Sequence, residues 1–148
     1  MNNETLYHRQ LDIVPLERLQ KAGVTLIGVG AVGSFTAFTL AKMGVGHITV
    51  YDDDTVTDHN LPNQLFRIQD IGKKKADALC EIVETFHGVK IDACPVKYTG
   101  QKLSGIVIVA VDSMDARIAI WKRVKYNPGI ELFIDSRMGA EVGKVITI

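Results

Sequence analysis

Val24-Thr-Leu-Ile27-Gly28-Val-Gly30-Ala-Val-Gly33 is the stretch that decides the fold. A short apolar run passes directly into a Gly-x-Gly-x-x-Gly loop, and residues 32–43 beyond it are rich in Ala, Phe and Leu before Gly44 stops them. Strand, glycine loop and helix in that order are the context in which these glycines carry meaning. The first makes a tight turn, the second admits a phosphate to the backbone, and the third lets helix pack on strand. The helix N-terminus then offers amides to an anion.

Working outward, Pro15 opens a short helical stretch to Ala22, and residues 1–12 before it read as an N-terminal arm. His47–Asp52 is a second strand, and residues 53–71 form a long polar connection of the kind that tends to be functional. A stripe at Ala76, Leu79, Cys80 and Val83 makes Lys73–His87 a helix, stopped by Gly88. Val89–Val96 alternates as a strand, with Pro95 placing it at an edge. Gly105–Val111 is the most apolar strand and therefore central. Ser113–Lys125 is helical until Asn127-Pro-Gly129, and Glu131–Asp135 and Lys144–Ile148 are further strands. This alternation predicts an α/β fold: a Rossmann-like, doubly wound, mostly parallel sheet with helices on both faces.

At 148 residues the chain is expected to be a single domain with a full hydrophobic core. Lys and Arg number 17, as do Asp and Glu, so net charge gives no case for nucleic acid. No apolar run approaches the roughly 18 residues of a membrane span, and the polar start lacks a signal-peptide core, so cytoplasm is the expected location. The two cysteines form neither a disulfide framework nor a zinc pattern. Cys80 falls on the core stripe of its helix, and Cys94, alternating with Lys90 and Asp92, is expected to face water.

Four features sharpen the chemistry. Asp52 closes the second strand 19 residues past Gly33, where an acid reads ribose hydroxyls. Asp53 and Asp54 add charge that suits a site holding ribose and a metal as well as phosphate. Lys73-Lys-Lys75 places three cations at a predicted helix start, against the macrodipole, so one of them is expected to reach phosphate. Asp112 stands at the ligand-facing end of the central strand, where a carboxylate suits Mg²⁺; Asp112 or Ser113 is also positioned to cap the helix that follows.

Together these motifs resemble the ThiF/MoeB/HesA superfamily, the adenylyltransferases that activate ubiquitin-like proteins. The resemblance runs from about Tyr7 to Ile148 through Tyr7-His-Arg9-Gln10, the glycine loop, Gly44-Val-Gly46, Asp52-x-Asp54, Asn60-x-x-x-Gln64, Asp70-Ile-Gly72-x-x-Lys75, Asp112-x-x-x-x-Arg117 and Gly139-x-x-x-Gly143. It implies an ATP- and Mg²⁺-dependent adenylation of the C-terminal carboxylate of a ubiquitin-like or sulfur-carrier protein, with a tRNA or peptide acceptor equally compatible.

Under that resemblance Gly28, Gly30, Gly33, Asp52, Asp54, Asn63 and Gln64 bind nucleotide. Asn60 and Lys75 act on the phosphates, Asp112 takes the metal, and Arg9 reaches the neighbouring subunit's phosphates in a homodimer or heterodimer. Two departures stand out. Asn63 occupies the position where the family usually has arginine, and a neutral amide does not replace a guanidinium on phosphate; Arg67, four residues on, is a candidate substitute. The chain also stops at Ile148, short of the region that carries the family's catalytic cysteine and zinc ligands, so no zinc is expected. Two other readings stay open: a non-catalytic nucleotide-binding half of a heterodimer, and an NAD-dependent oxidoreductase.

Overall fold

The computed structural model describes residues 3–139 and 142–148. Its centre is a six-stranded sheet in the order β3-β2-β1-β4-β5-β6, built from β1 (Gly23–Ile27), β2 (His47–Tyr51), β3 (Asp92–Cys94), β4 (Gly105–Val109), β5 (Ile130–Gly139) and β6 (Val142–Thr147). β1 to β5 pair in parallel and β6 returns antiparallel along β5, which gives the mostly parallel sheet that the sequence predicts.

Parallel neighbours need crossover helices. α3 (Ala31–Met43) joins β1 to β2, α4 (Lys75–His87) joins β2 to β3, and α5 (Met114–Val124) joins β4 to β5. The order reverses direction between β1 and β4, so right-handed crossovers put α3 and α4 on one face and α5 on the other. Each strand serves both faces through its two-residue period. Leu26, Val50 and Ile108 join Ala37, Ala41, Leu79 and Val83 in one core. Ile27, Val107 and Val109 join Ile120, Val124 and Phe133 in the other. Two short N-terminal helices, α1 (Asn3–Leu6) and α2 (Leu16–Lys21), precede the sheet. Among the described residues no helix is long and apolar enough to cross a membrane.

Several boundaries differ from the sequence expectation, each for a local reason. α4 begins at Lys75, not Lys73, because the two residues before it pair back across the connection: Lys73 O accepts from Val56 N–H at 2.9 Å, and extended Lys74 bridges Thr55. Only one of the three lysines therefore opposes the helix dipole. β3 is confined to Asp92–Cys94, since β2 offers it only Thr49–Tyr51 and Pro95 has no N–H to extend the ladder. β5 runs on to Gly139 because β6 pairs with it from Ile134 to Gly139. The long connection is closed by two 3₁₀ turns, Asp58–Asn60 and Ile68–Asp70. Cys94 is half-buried rather than water-facing. Cys80 is half-buried against the core, and burial pushes its thiol up to about 12. Ala140 and Glu141, inside the Gly139-x-x-x-Gly143 motif, and Met1 and Asn2 of the arm lie outside the described residues.

Candidate functional site

The reversal between β1 and β4 opens a cleft of about 850 Å³ along the C-terminal ends of the strands, within the usual volume of small-molecule sites. Its floor is the glycine loop. Gly28 has φ of +91°, and a Cβ there would lie 2.9 Å from the Ala110–Val111 backbone. A Cβ on Gly33 would come within 1.9 Å of Gly28 O, so α3 starts hard against the end of β1 only because both positions lack side chains. Gly30 precedes α3 and supplies no capping side chain. The amides of the first turn are therefore left for an anion.

Asp52 fastens the next strand to this loop. Its Oδ2 accepts from Val29 N–H at 2.7 Å and its Oδ1 from Asp54 N–H at 2.9 Å. Burial raises the Asp52 carboxyl above its usual range, against the opposing pull of those two amides and of Lys75. Lys75, only 6% exposed, donates Nζ to Asp54 Oδ2 at 2.9 Å. The other lysines are committed elsewhere: Lys73 to Glu81 and Asp70, and Lys74 to Asp53 O at 2.6 Å. Of the three cations expected at this helix start, Lys75 is thus the one that faces the cleft.

Gln64 reaches the same floor from the long connection, which is pinned to α3 where Leu65 N–H donates to buried Ser34 Oγ at 3.1 Å. Gln64 Oε1 is buried without a partner. On the far wall Asp112 is exposed in the turn after β4, and Ser113 rather than Asp112 caps α5, accepting from Ala116 N–H at 3.4 Å. The carboxylate of Asp112 is accordingly not spent on the helix. The carboxylate oxygens of Asp52, Asp53 and Asp54 come within 4.8 Å of one another.

The structure thus brings together Gly28, Gly30, Asp52, Asp54, Gln64, Lys75 and Asp112 around one cleft. Gly33 acts beneath it through packing. Asn60 is buried outside the lining, with its Oδ1 accepting from Thr57 N–H at 3.0 Å and Thr57 Oγ1 at 2.9 Å, so it closes a turn. Asn63 is exposed and also outside the lining.

Arg67 does not reach back into the cleft. Its guanidinium is engaged by fully buried Asp70, with Nε to Oδ2 at 2.8 Å and an Nη to Oδ1 at 2.9 Å. Burial alone would raise the Asp70 carboxyl, but the hydrogen bonds and charge of Arg67, aided by Lys73, hold it below the usual carboxylate range. Arg9 is exposed at the opposite end of α3: Tyr7 packs at Gly44, and Gln10 Nε2 donates to Met43 O at 2.6 Å. Thirteen helical residues put it about 20 Å from the glycine loop of its own subunit.

Three contributors have no signature in the sequence. Tyr98 is buried after β3 and meets Tyr51 edge-on, their centroids 5.7 Å apart, forming an aromatic wall of the cleft. Arg123 lines the rim from α5. Ser136 donates to Val109 O at 3.0 Å and lines the β5 side. The signal available for Tyr98 and Ser136 was positional only, since Tyr98 follows β3 and Ser136 faces the end of β4, and Arg123, in the last turn of α5, had none.

The cleft's chemistry fits a nucleotide and a divalent cation. A glycine cradle that any Cβ would fill, a buried ammonium and a free helix terminus suit phosphate; Asp52 suits ribose; and exposed carboxylates on both walls suit a hard metal.

The family model "ThiF family" matches residues 7–133. The chain is 30% identical over 128 residues to the ubiquitin-like modifier-activating enzyme 5 of Arabidopsis thaliana, covering 70% of this chain and 30% of that protein. It is 31% identical over 102 residues to the sulfur carrier protein adenylyltransferase of Thermus thermophilus, covering 64% and 38%. The crystal structure of E. coli tRNA N6-threonylcarbamoyladenosine dehydratase in complex with ATP superposes with a TM-score of 0.83 at 21% identity, covering 94% of this chain and 62% of that one. The chain spans well under half the length of the two curated relatives.

Proposed function

The chain belongs to the ThiF family, and on that premise we propose that it is an adenylation domain, residues 1–148, that binds MgATP and activates the C-terminal carboxylate of a ubiquitin-like or sulfur-carrier protein as an acyl-adenylate. In that reaction an acceptor carboxylate oxygen attacks the α-phosphorus, the bond to the β-phosphate oxygen breaks, and pyrophosphate leaves. The observation that carries the reading is the meeting of glycine loop, Asp52 and buried Lys75 on one cleft floor. The relatives' names supply the reaction type and the class of acceptor, and the ATP-bound neighbour supplies the nucleotide.

Each residue has a distinct task. The amides that open α3 hold phosphate oxygens, and Lys75 neutralises charge that grows on the phosphates as the acceptor attacks. Asp52, already fixed by two amides, keeps lone pairs for the ribose hydroxyls. Gln64, whose Nε2 lies beside Gly30, is placed to donate that amide to the phosphates. Asp112, with Asp54, would hold Mg²⁺, which would supply charge neutralisation for the phosphates and the departing pyrophosphate. Asn60 and Asn63 serve the site through the shape of their loop. Arg9, distant from its own cleft, serves the cleft of a second subunit, so the working unit is a dimer.

The test is a thermal melt with MgATP and with NAD, followed by ATP–pyrophosphate exchange with Gly-Gly-tailed acceptors. MgATP is expected to raise the melting temperature where NAD does not; equal stabilisation by NAD would overturn the reading. A second reading, a nucleotide-binding half without turnover, is favoured by exposed Asn63 and by the commitment of Arg67 to Asp70, which together leave this loop without an arginine in the cleft. MgATP binding without exchange in any pairing would select it.

A further inference from the structure

Arg117 is among the few charged residues that the fold buries, at 8% exposure, yet no reacting group requires it. It lies one turn into α5 and spans two elements. One Nη donates to Val111 O, the carbonyl immediately before Asp112, and another donates to Asp135 on β5. Asp135 is held from its other side by Arg137, with Nε and an Nη donating to Oδ2 at 2.8 and 2.6 Å. The regular strand ends at Val109, so Ala110 to Ser113 form an irregular turn. In that turn Ser113 caps the helix, Arg117 clamps the Val111 carbonyl, and the Asp112 side chain projects to solvent at the cleft.

A buried guanidinium is costly unless fully paired, and replacing such a group with apolar packing often improves stability. Its position here has one evident beneficiary. The peptide that carries Asp112 is fixed through Arg117 to the sheet two strands away from β1. Lysine at this position keeps the charge but lacks the planar fork that satisfies a carbonyl and a carboxylate together.

We propose that Arg117 is a positioning residue for the metal: by clamping Val111 O against the Asp135–Arg137 pair, it sets where the Asp112 carboxylate meets Mg²⁺ on the nucleotide. The inference rests on the reading of the cleft as a MgATP site. Arg117 borders the cleft, but its two Nη groups are committed to Asp135 and Val111 O, so it makes no contact with nucleotide and metal-free binding is spared. Outer groups that orient a metal ligand are worth about 10- to 100-fold in metal affinity.

The experiment is calorimetric titration of ATP, once with EDTA and once with saturating magnesium, on wild type, R117K, D112N, the double variant and D135N. The readout is the ratio of the two dissociation constants. In R117K the magnesium-dependent gain is expected to fall about 10-fold, with the EDTA value within about twofold of wild type. The double variant is expected to match D112N, because Arg117 acts only through Asp112. D135N, which weakens the clamp without touching Arg117, is expected to fall in the same direction, so the test survives if R117K does not fold. A wild-type gain retained in both R117K and D135N, or an equal loss with and without magnesium, would overturn this inference while leaving the MgATP reading intact. Absence of any magnesium gain in wild type would overturn that reading and this inference with it.

Discussion

Replacing Lys75 by methionine isolates the buried ammonium on the floor of the cleft. Methionine keeps the length and apolar stem of lysine in a position that is only 6% exposed, so packing is preserved. The partner, Asp54, has a side chain 67% exposed and is re-solvated when the ammonium is lost, so the pair contributes little to folding. The melting temperature of the free protein is therefore expected to stay within about 2 °C of wild type. Binding is another matter. A hydrogen bond to a charged group contributes about 1.5–3 kcal/mol. At about 1.4 kcal/mol per decade, Lys75→Met is expected to weaken MgATP about 10- to 150-fold. Isothermal titration of MgATP against both proteins, with melting curves as the folding control, checks it. An affinity within twofold of wild type in a folded Lys75→Met protein would refute the assignment of Lys75 to phosphate, and with it the argument that its burial serves binding.

Gly33→Ala sets a Cβ 1.9 Å from Gly28 O, so overpacking is expected to cost about 3 kcal/mol and lower the melting temperature by about 6–12 °C; an unchanged melt would show that α3 can move off β1. Asp70→Asn removes the carboxylate that Arg67 grips, at a cost near neutral pH of about 2 kcal/mol once the partial exposure of Arg67 is allowed for. Because Asp70 is held below the ordinary carboxylate range in the fold, its contribution is complete above the unfolded pKa and lost as pH falls through the folded one. The gap between wild type and variant, followed by urea melts, should close in acid; a gap independent of pH would contradict it. Asp52 has the opposite sign. Its raised carboxyl favours folding below the unfolded pKa, and that contribution is lost as pH rises through the folded one. Arg9→Ala is expected to abolish pyrophosphate exchange with sedimentation still dimeric, and exchange by a strict monomer would take Arg9 out of the chemistry.

The sheet was legible because its signals are local. A β-run feeding Gly28-x-Gly30-x-x-Gly33, a helix stopped at Gly44 and the apolar run before Asp112 each specify one element, and parallel pairing leaves few ways to connect them. The floor of the cleft followed, since Asp52 and Lys75 sit at element ends whose direction the fold fixes. What the sequence concealed depends on side-chain partners. Asn60 turned inward to cap its own turn, and Arg67 was claimed by Asp70 three residues on. Neither choice leaves a periodic trace. Tyr98 and Arg123 come to the cleft from segments that pack only once the sheet exists. The extended start of α4 depended on Lys73 and Lys74 pairing back across the connection, a contact that a helical stripe cannot announce.

The Lys75–Asp54 pair makes the cleft floor, on the reading proposed above, a place of exchange. On the MgATP reading, a polyphosphate arriving at Lys75 would displace an anion already bound there, and the Asp54 carboxylate would be released beside the other acids where a cation is needed. Phosphate and metal would then recruit one another: each ligand's affinity rises when the other is present, by the same factor in both directions. Selectivity follows from the same swap. On that reading a bare metal would find Asp54 already paired, and a nucleotide without metal would leave a carboxylate next to its phosphates, so the cleft would favour the pair over either member.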